Sequence, residues 1–306
     1  MKKNSLVGAM CIIIAASLWG LDGVVLRPRL YHLSVPVVVF LEHFIAFFFM
    51  LGFLIYDFSE LKTLGLRDWG SFFWIALFGG AIGTMAITKA LFHVNFEHLS
   101  VIIILQKLQP MFAILLALIV LGERPSRLFY LWSAFAILGS YLITFGFNAP
   151  VFEGNKIAIA SLFSLLAAFS FGSSTVFGKR ALKNASFRVA TYIRFGLTSL
   201  IMFAIIFWMN EFTGFGQITK GDIVTLLIIA FSTGGVAIFI YYFGLKQVPA
   251  SSSAIYELAF PVSAIILDYI VHGSVMSPIQ WLGAVIIMVS MLKISRMTIP
   301  KTEVVG

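Results

Sequence analysis

Five ionisable side chains stand inside stretches that are otherwise apolar enough for lipid: Glu42, His43, Lys107, Arg194 and Glu257. Gln106 and Gln109 flank the lysine. A charge at bilayer depth costs at least about 2.5 kcal/mol on insertion scales, so such residues face a cavity or a partner. The chemistry they offer is recognition rather than bond-making. Gln106 and Gln109 are three apart and share a helix face. Their amides both donate and accept, which suits a zwitterionic or otherwise polar metabolite. His43 beside Glu42 is a candidate proton site, because imidazole titrates near working pH. Trp19, Tyr241, Tyr242 and Tyr256 offer faces for a cation or a flat ring. Each residue also has a plainer use. The charges can staple helices, the amides can bond the backbone that Pro110 frees, and the rings can simply pack.

Depth suggests how the charges pair. At a rise of about 1.5 Å per residue, Glu42 and Lys107 sit at similar depth in one leaflet, and Arg194 and Glu257 at similar depth in the other. The sequence therefore predicts two ion pairs, Glu42–Lys107 facing outward and Arg194–Glu257 facing inward, around a central site.

The elements that must position these residues are repeated. Residues 105–126, LQKLQPMFAILLALIVLGERPS, are long enough to cross a bilayer yet open on polar residues and a proline. Residues 253–277 repeat the scheme: Glu257 stands 151 residues after Gln106, Pro261 after Pro110 and Ser277 after Ser126. At shifts of 151 or 152, Trp19-Gly20 meets Phe171-Gly172, Glu42 meets Arg194, and Gly83 meets Gly234. The chain thus reads as two units, 1–150 and 151–306. Five spans in each would force the second to insert upside down relative to the first, as an inverted-topology repeat.

Composition sets the class. Of 306 residues 60% are hydrophobic and 11% charged, against about 25% charged in soluble domains. Apolar runs of about 20 residues span the hydrocarbon as helices. Ten are expected, roughly at 5–25, 36–56, 69–91, 99–121, 127–147, 156–179, 187–209, 221–245, 251–271 and 278–296. The fold class is all-α integral membrane, with ten transmembrane helices around a central cavity. Short links leave no room for a soluble domain. With the N-terminus in the cytoplasm, Lys and Arg divide about fourteen to four in favour of the inner side, Arg27 and Arg29 being exceptions. Both termini are therefore expected in the cytoplasm and the protein in the cytoplasmic membrane. The net charge of +8 follows from this flanking pattern, and no basic and aromatic cluster points to nucleic acid. The lone Cys11 excludes an internal disulfide. Residues 5–25 are too long for a cleavable signal.

At these residues the chain resembles the drug/metabolite transporter superfamily, in its EamA-like ten-helix branch. The resemblance rests on Ser17-Leu18-Trp19-Gly20, on Gly79-Gly80-Ala81-Ile82-Gly83, on Pro110 to Ser126 with Leu121-Gly122-Glu123-Arg124-Pro125-Ser126, and on the partner segment Tyr256 to Ser277. It covers essentially the whole chain. There are two departures. Ser274 stands where Glu123 would repeat, and Glu42-His43 stands where an arginine like Arg194 is expected. The resemblance implies a secondary carrier of small metabolites, with many relatives acting as exporters.

There is no P-loop, GxSxG elbow, HExxH or CxxC motif. His93, Glu97 and His98 crowd one loop, but their irregular spacing makes a weak metal site. No cofactor is expected. The expected activity is alternating-access transport of a small polar or amphipathic solute, an amino acid or a related compound, in the outward direction, with proton coupling as an option. Import of a cationic or quaternary-amine solute is the alternative. A membrane-embedded enzyme would need a nucleophile beside Glu42-His43, and none is evident. The expected substrate contacts are Trp19, Glu42, His43, Gln106, Lys107, Gln109, Arg194, Tyr241, Tyr256 and Glu257.

Overall fold

The computed structural model describes residues 3–93, 105–148, 155–273, 275, 277–297 and 299–300. Among these every regular element is helical. In chain order they are α1 (Lys3–Leu21), α2 (Val35–Phe49), α3 (Leu51–Leu61), α4 (Leu66–Trp74), α5 (Gly83–His93), α6 (Gln109–Leu121), α7 (Arg127–Phe145), α8 (Asn155–Ala181), α9 (Phe187–Met209), α10 (Lys220–Phe231), α11 (Gly235–Gln247), α12 (Ala250–Tyr256), α13 (Ala259–His272) and α14 (Pro278–Ser295).

Several of these join end to end. Among the described residues, eight continuous helical stretches are long and apolar enough to cross a membrane: Asn4–Leu30, Leu66–Ala90, Arg127–Phe145, Ala158–Ala181, Phe187–Met209, Lys220–Gln247, Ala250–Val271 and Pro278–Ser295. Two apolar helices are shorter, Val35–Phe49 and Gln109–Leu121. They fall in the second and fourth expected spans. The second expected span bends at Met50, where α2 gives way to α3. The first residues of the fourth lie outside the described residues, as do Glu97 and His98 of the candidate metal loop.

Large apolar side chains face outward over the whole surface. Leu200, Phe207, Trp208 and Ile119 are each more than 60% exposed. A water-soluble protein does not leave so much contiguous apolar surface uncovered, whereas lipid accepts it. Inside, small residues let the backbones close up, as helix contacts in lipid require. A Cβ on Gly139 of α7 would lie 2.8 Å from the Gly283 carbonyl of α14. Gly79 and Gly80 similarly receive Ser174 of α8 and Thr198 of α9. Gly234 and Gly235 serve otherwise: they sit at the break between α10 and α11, where Gly234 is the N-cap of α11.

Proline breaks the two segments that carry polar residues. Pro110 has no N–H, so the Gln106 carbonyl loses its helical partner. The chain tightens instead: Leu108 N–H bonds the Leu105 carbonyl at 3.2 Å and Met111 N–H bonds the Leu108 carbonyl at 2.9 Å. Pro261 has the same effect on Glu257, whose carbonyl accepts from Phe260 N–H at 3.1 Å. The segment 250–271 is therefore split into α12 and α13.

The far ends of these two segments are built alike. Gly122 closes α6 at φ +66° and Gly273 closes α13 at φ +72°, a left-handed turn that favours glycine. Ser126 then caps α7 by accepting from Phe129 N–H, and Ser277 caps α14 by accepting from Gln280 N–H.

Candidate functional site

The broken segments meet in the interior. Gln109, at the start of α6, donates its amide to Glu257 Oε2 at 2.6 Å. Tyr241 of α11 donates its hydroxyl to Glu257 Oε1 at 2.7 Å. The hydroxyls of Thr175 on α8 and Ser253 on α12 each lie 3.2 Å from that same oxygen. Four helical elements, α6, α8, α11 and α12, therefore converge on one carboxylate, and its partners Thr175, Tyr241 and Ser253 are buried. The Trp19 ring of α1 lies against Tyr241, with centroids 5.3 Å apart. Side chains here close directly on one another. Elsewhere a small pocket opens beside Arg27, lined also by Tyr31, Val38 and Thr88.

Neither expected ion pair forms. Arg194 reaches the other side of the tyrosine pair, donating Nη1 to Tyr242 Oη at 3.3 Å and Nη2 to the Gly79 carbonyl at 3.2 Å. Its Nε is buried without a partner among the described residues. Glu42 pairs with Arg27, whose Nη2 lies 3.1 Å from Oε1. The same guanidinium holds Asp22 at 2.8 Å, and Thr233 donates to the other Asp22 oxygen at 3.2 Å. Equal depth is not equal azimuth. The π-helical turn Asp22–Leu26 at the end of α1 brings Arg27 round to the α2 face that carries Glu42, while Lys107 looks elsewhere.

Lys107 is 7% exposed. Its Nζ stands 3.9 Å above the centre of the Phe260 ring, and among the described residues no carboxylate lies within 4 Å of it. His43 is buried, its Nδ1 2.8 Å from the Val39 carbonyl and its ring 5.3 Å from that of Phe195. Gln106 is half-buried. Tyr256 is 2% exposed and packs in the main apolar core.

The interior thus gathers Trp19, Gln109, Tyr241 and Glu257 directly, sets Arg194 behind Tyr242, and places Lys107 over a ring three residues past Glu257. It sets Glu42 apart with Arg27, while His43 packs on Phe195, the neighbour of Arg194 in α9. Asp22, Arg27, Thr175 and Ser253 are the participants that sequence reasoning missed. Arg27 had shown itself as an exception to the charge bias, five residues after Asp22 and just past an apolar span. Glu123 is also more than a loop end. It is fully buried and caps α12, accepting from Ala250 N–H at 2.8 Å and Ser251 N–H at 2.9 Å. Among the described residues no cluster of His, Cys, Asp and Glu is placed to hold a metal.

A helical bundle with a lipid-like exterior and a polar interior of charges, amides and hydroxyls defines a membrane transport protein. The family is explicit in the sequence: the EamA-like transporter family model matches residues 6–145 and 158–296. The chain belongs to that family, and it is a transporter rather than an enzyme. It is 47% identical over 296 residues to the riboflavin transporter ImpX of Fusobacterium nucleatum, covering 96% of this chain and 99% of that one. It is 27% identical to the uncharacterized transporter YwfM of Bacillus subtilis, covering 96% and 95%. A protein of known crystal structure superposes with a TM-score of 0.74 at 13% identity, covering 96% of this chain and 99% of that one. That likeness concerns the fold alone.

Proposed function

We propose that this transporter carries riboflavin, or a flavin with the same ring system and polyol chain, across the cytoplasmic membrane. The observation that supports the reading is the relative described as a riboflavin transporter, 47% identical along nearly the full length of both chains. The interior suits such a solute. Trp19 and Tyr241 offer faces to a tricyclic ring, while Gln109, Thr175 and Ser253 offer donors and acceptors to a chain of hydroxyls. Residue types alone had suggested an amino acid. Amides, hydroxyls and aromatic faces serve either solute, and the relative favours the flavin.

The mechanism we infer is alternating access between two inverted five-span units, 1–150 and 151–306, with both termini in the cytoplasm. Support comes from the family model's two matches, one in each half, and from Gly122 with Gly273 and Ser126 with Ser277, equivalent turns and caps 151 residues apart. The closed packing around Glu257 is then one state of the cycle, and solute enters when the α6 and α12–α13 breaks separate.

Thermal unfolding of the purified protein tests the substrate, since a ligand that binds the folded state stabilises it with occupancy. Riboflavin should raise the midpoint in a saturable manner, while amino acids and quaternary amines leave it unchanged. Stabilisation by an amino acid or an amine but not by riboflavin would overturn the proposal.

A further inference from the structure

We infer that Lys107 sets substrate specificity by donating to the imide carbonyl edge of the flavin ring. The inference rests on the riboflavin reading and assigns a role that the reading leaves open.

The argument starts from an imbalance. Buried cations are normally paired with carboxylates or capped by carbonyls. This chain follows that rule elsewhere. Arg27 holds two carboxylates, and Lys179 is capped by the Leu245 and Lys246 carbonyls at 2.7 and 2.9 Å. Lys107, equally buried, has no hydrogen-bond acceptor among the described residues. Its one close partner is the face of Phe260. An ammonium carries three donors, and a ring face satisfies its charge without accepting in their directions.

Its position connects the imbalance to the solute path. Lys107 lies in the break that Pro110 opens, two residues before Gln109, and Phe260 lies in the facing break, three residues after Glu257. The Gln109–Glu257 bond spans the same two breaks. An edge of the Phe260 ring approaches the π-helical turn that follows α1, where a Cβ on Gly23 would stand 3.8 Å from the ring. Lys107 is therefore held at the junction of three segments, beside the polar layer but outside its hydrogen bonds.

Chemistry selects the ring edge over the chain. The isoalloxazine ring is neutral, yet its pyrimidine portion carries two carbonyls flanking an N–H, and negative potential gathers on those oxygens. A desolvated ammonium is matched best by such acceptors. The polyol hydroxyls need only neutral donors and acceptors, which Gln109, Thr175 and Ser253 already supply. A flat ring whose carbonyl edge meets Lys107 is also positioned to lie along Phe260 and toward Trp19.

The test is equilibrium binding to full-length protein in lipid nanodiscs, read by flavin fluorescence. Two probes are used: riboflavin, and lumichrome, which keeps the carbonyl edge and lacks the chain. Wild type should bind both. K107M should weaken riboflavin and lumichrome by the same factor, at least tenfold, and K107R should recover part of the loss. If K107M binds both as wild type does, or loses riboflavin while keeping lumichrome, the inference is overturned. If wild type binds neither, the riboflavin reading itself fails, an outcome distinct from flavin binding that ignores Lys107.

Discussion

Gln109 and Glu257 hydrogen-bond at 2.6 Å across 148 residues of sequence, the first directly before Pro110 and the second four residues before Pro261, each proline interrupting its own helix. The contact ties the two halves of the chain at the level where both backbones open. An amide that donates to a carboxylate in a dry interior is a strong contact that is costly to leave half-made. A double-mutant cycle with Q109A and E257A should give a coupling of about 1 to 3 kcal/mol, measured by thermal or denaturant unfolding in detergent. Additive effects would mean that the two helices are held together by other contacts.

The Arg27 cluster should behave as a structural unit. R27M leaves Asp22 and Glu42 facing each other without a cation and should cost about 3 to 5 kcal/mol. Combining it with D22N and E42Q removes the orphaned charges and should recover most of the loss. The readout is the unfolding midpoint, and an R27M protein as stable as wild type would show that the guanidinium is not what holds the carboxylates.

Glu123 is predicted to hold α6 to α12 by capping two backbone N–H groups. E123A should cost about 1 to 3 kcal/mol by leaving buried donors unsatisfied. E123Q, which keeps one acceptor oxygen, should cost less. The order of the two midpoints checks the assignment, since a residue acting only by bulk would rank them equal.

Close approach of α7 and α14 at Gly139 and Gly283 gives a steric prediction. G139L places a branched side chain where a Cβ alone would be 2.8 Å from a carbonyl oxygen, and overpacking of this kind costs about 1 to 3 kcal/mol. A lipid-facing change is the control: V285L of α14, at 47% exposure, should leave the midpoint unmoved.

Much of this was readable before any coordinates, and the failures share one cause. Pro110 and Pro261 marked the breaks because a missing N–H acts on the local backbone whatever surrounds it. The register of Ser126 with Ser277 was readable too, and the structure gives it a local meaning, since both serines cap helices after a glycine turn at Gly122 or Gly273. Trp19, Gln109, Tyr241 and Glu257 stood out because polar and amphipathic groups inside apolar runs need partners. Who those partners were did not follow. Depth along a helix can be counted from sequence, but the direction a side chain faces depends on how helices rotate against one another. Glu42 and Lys107, expected to be level, face different neighbours, and so do Arg194 and Glu257. The π-helical turn at Asp22–Leu26, which brings Arg27 to Glu42, has no sequence signature of its own.

Solute counterflow in proteoliposomes measures the central claim most directly. Vesicles preloaded with unlabelled riboflavin should transiently accumulate labelled riboflavin when they contain wild-type protein, whichever direction the carrier favours in the cell. Those containing folded E257Q should exchange it at least tenfold more slowly. No accumulation above protein-free vesicles, or exchange by E257Q at the wild-type rate, would contradict a flavin carrier built around Glu257.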